Sequence, residues 1–207
     1  MKRLLLIGGG GHCVSCLDVI EMTGEYEIVG ILDRADKVGL RVGGYEIVGC
    51  DSDFVDWLDR IDEVLITVGM VGRNPVRQNL YDQMTRAGAK FARVVSPRAY
   101  VSSSATIGAG TIVLHDALVN GGARIGQNCI LNTKSLIEHD TRVGNHCHVA
   151  TRATLNGNVV IDDHVFVGSH SVVFQGFHVG ERSVIGGGQV VRSNLGAGSH
   201  PNGEKVL

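Results

Sequence analysis

The sequence predicts two stacked architectures in one chain of 207 residues: a small Rossmann-like α/β domain, then a parallel β-helix built on hexapeptides. Three observations carry this. First, every sixth residue from Val101 to Val191 is Val, Ile or Leu, sixteen in succession and without a break. Second, the residue four places after each early anchor is small: Ala105, Thr111, Ala117, Ala123, Cys129, Ser135, Thr141, Cys147 and Ala153. Third, the first ninety or so residues lack that period and alternate short apolar runs with glycine turns and helical patterns. A fixed short period signals a repeat solenoid, whereas alternating strands and helices signal a parallel α/β sheet.

The α/β part reads in order. Leu4–Ile7 is an apolar run that ends in Gly8-Gly9-Gly10-Gly11-His12, and a helical pattern follows to about Met22. Ile28–Leu32 is a second strand, ending at Asp33; Val64–Val68 is a third, ending at Gly69. Asp51–Asp59 and Pro75–Ala87 read as helices, and Phe91–Val95 as a last strand. Backbone free of side chains at a helix start lets N–H groups approach an anion. The Gly8-x-Gly10 pair fits a dinucleotide fingerprint whose third glycine is here Cys13, and Asp33 stands about where a ribose-binding acid would. A tight turn without ligand, a dinucleotide and a nucleotide sugar all remain open readings of this turn.

In the coil, each hexad supplies a short strand and a corner. The branched anchor and the small residue both point into a narrow prism. Three hexads close a triangle, so residues eighteen apart stack on successive coils, about 4.8 Å apart. This arithmetic puts Gly121 and Gly157 above and below His139, with Asn120, Glu138 and Asn156 stacked beside it. Cys129 and Cys147 become core neighbours one coil apart, and His146 and His164 join Asn128 and Arg182 in a solvated ladder. His115, His170, His178 and His200 read as surface residues. The boundaries are 1–95 for the α/β domain, 96–195 for the coil and 196–207 for an irregular tail.

Bulk properties narrow the setting. A net charge of −2 shows no basic footprint for nucleic acid or a membrane surface. The apolar stretch after Met1 runs into glycines and reads as a buried strand rather than a signal peptide. Five cysteines, an odd number, fit a reducing cytoplasm, and Cys13-x-x-Cys16 reads as two small residues packed on a helix.

A glycine turn with G-G-G-G-H followed by a hexapeptide coil resembles the NeuD/PglD-like sugar acetyltransferases. The resemblance is strongest over Leu131–Asp140 (LNTKSLIEHD), and continues in Leu155–Val159, Val167–Val173 and Ile185–Gly188. It implies a left-handed coil, a homotrimer, and transfer of an acetyl group from acetyl-CoA to a hydroxyl or amine of a sialic-acid-like or nucleotide-linked amino sugar. It makes His139 the general base, with Asp140 and Glu138 beside it. It assigns His148, Ser169 and Gly187 to acetyl-CoA, and Gly10, Gly11, His12 and Asp33 to the sugar substrate. No metal is implied. The N-T-K-S-L-I-E-H wording and the spacing of Gly69 and Arg77 lean towards the sialic-acid branch.

The chemistry suits these residues independently. An imidazole titrating near neutrality can take the proton that an attacking hydroxyl or amine must lose. Two other classes compete: a non-catalytic sugar-binding scaffold, and a zinc coil of the carbonic-anhydrase type, for which His146, His148, His164 and His170 would have to supply ligands. The chain departs from the family twice. The usual G-x-P-A segment is absent from Leu195–Leu207, which leaves the acyl donor's contacts there unassigned. Arg34 follows Asp33 where a second acid is common, which weighs against a uridine-linked substrate.

Overall fold

The computed structural model describes residues 1–201. Its first part is a five-stranded sheet in the order β3-β4-β2-β1-β5. The strands are β1 (Lys2–Ile7), β2 (Tyr26–Asp33), β3 (Arg41–Val42), β4 (Tyr45–Cys50) and β5 (Glu63–Ile66). All neighbours are parallel except β3 with β4. Helix α1 (Gly11–Thr23) follows β1, and its buried residues Cys13, Cys16, Leu17 and Ile20 recur at helical spacing on the face turned to the sheet. Gly24 ends it in the left-handed conformation, at φ 65°. Helix α2 (Val76–Arg86) follows β5. The central strand β1 is apolar from Leu4 to Ile7 and fully buried there, as expected of a parallel strand covered on both faces. The sequence reading misses β3 and β4. The predicted Asp51–Asp59 helix is a 3-10 helix spanning Asp51–Arg60.

From Val94–Val95 to Val190–Val191 the chain is a left-handed β-helix of two-residue strands, stacked in two six-stranded sheets and one five-stranded sheet. Strand partners are eighteen residues apart throughout, as in Leu118↔Leu136↔Thr154. Every anchor from Val113 to Val191 is buried, and Ala117, Ala123, Cys129, Cys147 and Ala153 share that core. The corners have their own period. Position 110 and every sixth residue after it, through 188, has positive φ. The occupants are Gly, or Asp116, Asn128, Lys134, Asp140, His146, Arg152, Asn158, His164, His170 and Arg182. Asn, Asp and His tolerate this left-handed region better than most side chains. The recurrence of His146, His164 and His170 therefore has a backbone reason.

The predicted last strand of the α/β domain divides. Phe91 bridges Val64, whereas Val94–Val95 already pairs with Ile112–Val113 as the first rung of the coil. At the other end, backbone pairing runs beyond Val191, the last anchor, and past the expected boundary at 195. Leu195 bridges Val179, and Val184 donates its N–H to the Ser199 carbonyl. Residues 202–207 of the expected tail lie outside the described residues.

The three outer faces of the prism differ. One carries Val94, Ile112, Ile130, His148 and Val184, all buried, the first three packed in one core with α1 and the sheet; it is called the covered face. A second, the apolar face, carries Tyr100, Leu118, Leu136, Thr154, Val172 and Val190, with Tyr100 and Val190 more than half exposed. The third, the charged face, carries Arg124, Arg142, Val160 and His178.

The domains are fastened by polar contacts as well as apolar ones. Arg77 of α2 is 1% exposed and donates to four backbone carbonyls: Ile66 (2.5 Å) and Val68 (2.8 Å) of the α/β domain, and Asn128 (3.2 Å) and Gly110 (3.2 Å) of the coil. His115, read from sequence as a surface residue, instead bridges Asp18 of α1 (2.7 Å) and Ser96 (2.6 Å). His148 contacts the Met70 carbonyl through Nδ1 at 2.5 Å and the Asn132 amide through Nε2 at 3.1 Å.

Removing Arg77 would orphan buried carbonyls in both domains. Arg77→Met should lower unfolding free energy by about 3–5 kcal/mol, read from the denaturant midpoint. Burial, opposed by the Met70 contact and reinforced by Arg77, lowers the His148 pKa to about 4. The unfolded chain therefore binds a proton below its ordinary value near 6.5 while the folded chain does not, and stability falls as pH drops from about 6.5 towards 4. The loss of Tm between pH 7 and pH 4.5 should be smaller in His148→Gln than in the parent protein.

Candidate functional site

The carboxyl edge of the α/β sheet opens into a cleft of about 550 Å³, bounded by the glycine turn, Asp33, Asp51 and the Thr67–Gly69 segment. Parallel sheets place ligands at this edge because strand ends and helix starts converge there. Gly8 makes the tight turn at φ 104°, where a Cβ would run into Val68. Thr67 accepts no solvent here: its hydroxyl is buried and donates to the Gly8 carbonyl at 2.6 Å, holding the start of the turn. Gly10 caps α1 with no side-chain hydrogen bond; the Cys13 N–H donates to the Gly10 carbonyl, and those of Gly11 and His12 are free for an anion. A Cβ built on Gly10 or Gly11 meets nothing within 4 Å; both face open space.

Asp33 is placed beside this turn but is already committed. It accepts from the Gly9 N–H (2.7 Å), the Arg34 N–H (2.7 Å) and Lys37 Nζ (2.9 Å). Burial pushes its carboxyl up, but Lys37 and the two backbone donors outweigh this and hold it below the ordinary carboxylate range. It braces the turn from below. His12 lines the same cleft, and its Nε2 is buried without a partner. Burial first, then the nearby Arg77 and His148, depress its pKa to about 3, so it is a neutral imidazole with one nitrogen unspent.

The second group sits on the coil. His139 and Asp140 occupy the corner between the apolar and the charged face, and both side chains are more than half exposed. Asp140 takes the left-handed corner position at φ 61°, and its Oδ2 lies 2.9 Å from His139 Nδ1. With the carboxylate as acceptor, the proton belongs on Nδ1, which leaves the Nε2 lone pair outward-facing and available. The glycines around this pair have distinct duties. A Cβ on Gly157 would lie 2.5 Å from His139 Nε2, and one on Gly122 would lie 2.6 Å from Asp140 Oδ1. A Cβ on Gly121, expected above His139, would meet only Ser104 and Ser102, while the Gly121 carbonyl accepts from the Asp140 N–H at 3.0 Å. Of the expected polar ladder, Asn120 donates to Glu138 at 2.8 Å.

The predicted site residues do not converge within one protomer. Ser169 and Gly187 stack one coil apart at the corner between the covered and apolar faces, exposed, across the apolar face from His139. His148 lies on the covered face with both ring nitrogens engaged. The His139 corner is the edge of the prism opposite the covered face, and hence opposite the α/β cleft. His146 and His164 stack at 4.9 Å, and among the described residues no group of three His, Cys, Asp or Glu side chains is arranged to hold a metal ion. The five cysteines are free. No helix among the described residues is long and apolar enough to cross a membrane. Sequence reading gave no site role to Lys37, Asp51 or Thr67, and used Arg77 only for its spacing from Gly69. The signal for Asp51 was its place just past a strand, but that strand, β4, was itself unread.

Comparison with known proteins follows the same division. Residues 3–84 match the PglD N-terminal domain family, and residues 158–193 match the family described as hexapeptide repeat of succinyl-transferase. A curated relative, the UDP-N-acetylbacillosamine N-acetyltransferase of Bacillus subtilis, is 32% identical over 114 residues; the match spans about half of each chain, 55% of this one and 52% of the relative. Among solved structures, PerB from Caulobacter crescentus, in complex with CoA and GDP-perosamine, has a TM-score of 0.87 at 28% identity, over 95% of this chain and 92% of that one. The acetyltransferase domain of PglB from Neisseria gonorrhoeae has a TM-score of 0.89 at 26% identity, over the whole of both chains. A second structure of that domain contains acetyl coenzyme A. The order of the two matched domains and the likeness along the whole chain agree: in both parts this chain is similar to PerB and to the acetyltransferase domain of PglB.

Proposed function

We propose that this protein transfers the acetyl group of acetyl-CoA to the amine of a nucleotide-linked amino sugar. The reading is carried by one combination: an aspartate-backed imidazole on an exposed coil corner, in the same chain as a glycine turn prepared for a diphosphate. The relatives support it: the Bacillus subtilis relative is named for a UDP-linked amino sugar, and PerB is in complex with CoA and GDP-perosamine. They favour such an acceptor, and nitrogen transfer, over the sialic-acid alternative.

In this mechanism the N–H groups at the start of α1 hold the diphosphate, and the sugar extends beyond His12. The amine nitrogen attacks the thioester carbonyl of acetyl-CoA. His139 Nε2 takes the proton the amine loses, and Asp140 stabilises the resulting imidazolium through Nδ1–H. The carbonyl oxygen gains charge in the tetrahedral intermediate; the C–S bond then breaks, and the CoA thiolate leaves and is protonated. Glu138, tied to Asn120, borders the amine's approach.

Because His139 stands opposite its own protomer's cleft, the site is completed by a neighbouring copy. A closed trimer, its protomers meeting along the apolar faces, covers Tyr100, Leu136 and Val190 and shares acetyl-CoA between the His139 corner of one protomer and the Ser169–Gly187 corner of the next. The setting proposed is the cytoplasm, where both nucleotide sugar and acetyl-CoA are available.

Nucleotide amino sugars incubated with acetyl-CoA should yield products heavier by one acetyl group in mass spectrometry. Protein that binds acetyl-CoA normally yet acetylates none of them would refute the assignment. His139→Ala should lower kcat by about 10²–10⁴-fold with little change in KM, the range for a lost general base. Gly157→Ala should cost about tenfold to a hundredfold in kcat by displacing the imidazole, with Tm nearly unchanged, because the atoms nearest a Cβ on this buried glycine are those of the exposed His139 ring.

A further inference from the structure

We propose that Asp51 reads the nucleotide base and selects guanine, making the acceptor a GDP-linked rather than a UDP-linked amino sugar. This rests on the nucleotide-sugar reading of the cleft and adds the identity of the base. Relatives named for UDP- and GDP-linked sugars share the fold, so the fold leaves the base undecided.

Asp51 forms part of the cleft wall, and its Oδ1 is buried with no hydrogen-bond partner. Such an oxygen costs stability unless something donates to it. Burial, with Asp33 nearby, raises its carboxyl above the ordinary range, and Lys37 offsets this only in part. Asp33 already accepts three hydrogen bonds, from Gly9, Arg34 and Lys37. Asp51 Oδ1, with none, is the acceptor in most need of a donor.

Its position assigns the ligand group. Asp33 pairs with Cys50 across β2 and β4, which puts Asp51 one residue beyond the sheet edge, on the far side of β2 from the glycine turn. The diphosphate belongs on the free N–H groups of α1, and two neighbouring carboxylates repel it from the β2–β4 end. The base occupies that end. An ionised carboxylate only accepts hydrogen bonds. Guanine presents adjacent donors, N1–H and the N2 amine, that match its two oxygens. Uracil has one N–H flanked by two carbonyl oxygens, which the carboxylate repels. Adenine and cytosine each set a ring acceptor beside the amine.

Calorimetric titration with GDP, IDP and UDP, without CoA, tests this. Wild-type protein should bind GDP about tenfold or more tighter than UDP, and about tenfold tighter than IDP, which lacks the N2 amine. Asp51→Asn should weaken GDP about tenfold or more and bring GDP and UDP to within about threefold, with an unliganded Tm no lower than wild type. Equal binding of GDP and UDP by the wild type, or equal loss of both in Asp51→Asn, would overturn the base assignment and leave the nucleotide-sugar reading standing. Failure of all three nucleotides to bind would overturn both. The GDP, IDP and UDP comparison on wild-type protein decides the matter without any variant.

Discussion

A triangular coil three hexads around has room inside for one branched and one small side chain per edge, and it must turn sharply at every corner. The interior sets the Val/Ile/Leu period and the Ala, Ser, Thr and Cys positions that answer it. The turn demands a left-handed residue at every sixth position from 110 to 188. Most of what the molecule presents to a ligand is built on that second demand. Asp140 stands at a corner position that suits Asp, and from there its carboxylate reaches back to the preceding His139. Gly157 and Gly122 then serve a different end: they leave the volume that the ring and the carboxylate occupy.

The three faces of the prism divide the remaining work. Arg77 is a buried cation whose guanidinium is spent on carbonyls of both domains, not on an acid. By tying Ile66 and Val68 to Gly110 and Asn128, it sets the end of β5 against the coil and so orients the cleft that begins there. The same attachment covers one face and leaves the acid–base pair on the far edge. Protomer geometry thus separates substrate cleft from proposed base, and the unpaired apolar face between the two halves of the proposed donor site is where assembly would reunite them.

Much of this was legible in the residues. The coil, its stacking partners, the core roles of Cys129 and Cys147, and the glycine turn follow from period and spacing. The pairing of Asn120 with Glu138 was also foreseen by counting eighteen. Other features were not. Asp33, read as a ligand-binding acid, lines the cleft, but the three donors it accepts from there, Gly9, Arg34 and Lys37, were not foreseen. His115 looked like a surface residue, but Asp18, far away in sequence, finds it. β4 follows Gly43-Gly44 and has Gly49 within it, so it went unread, and the signal of Asp51 at its end was lost with it.

Sequence by itself determined what repeats: a solenoid maps chain distance to spatial distance through one fixed number, so neighbours along the coil can be counted. It also determined the switch from alternating α/β elements to that repeat. Only the tertiary structure decided which face of the prism the α/β domain covers, which carboxylates in the cleft are spent and which is free, and that His148 is a buried strut between domains. Those outcomes depend on contacts between segments with no fixed spacing, where burial and competition among donors, rather than residue type, set each group's role.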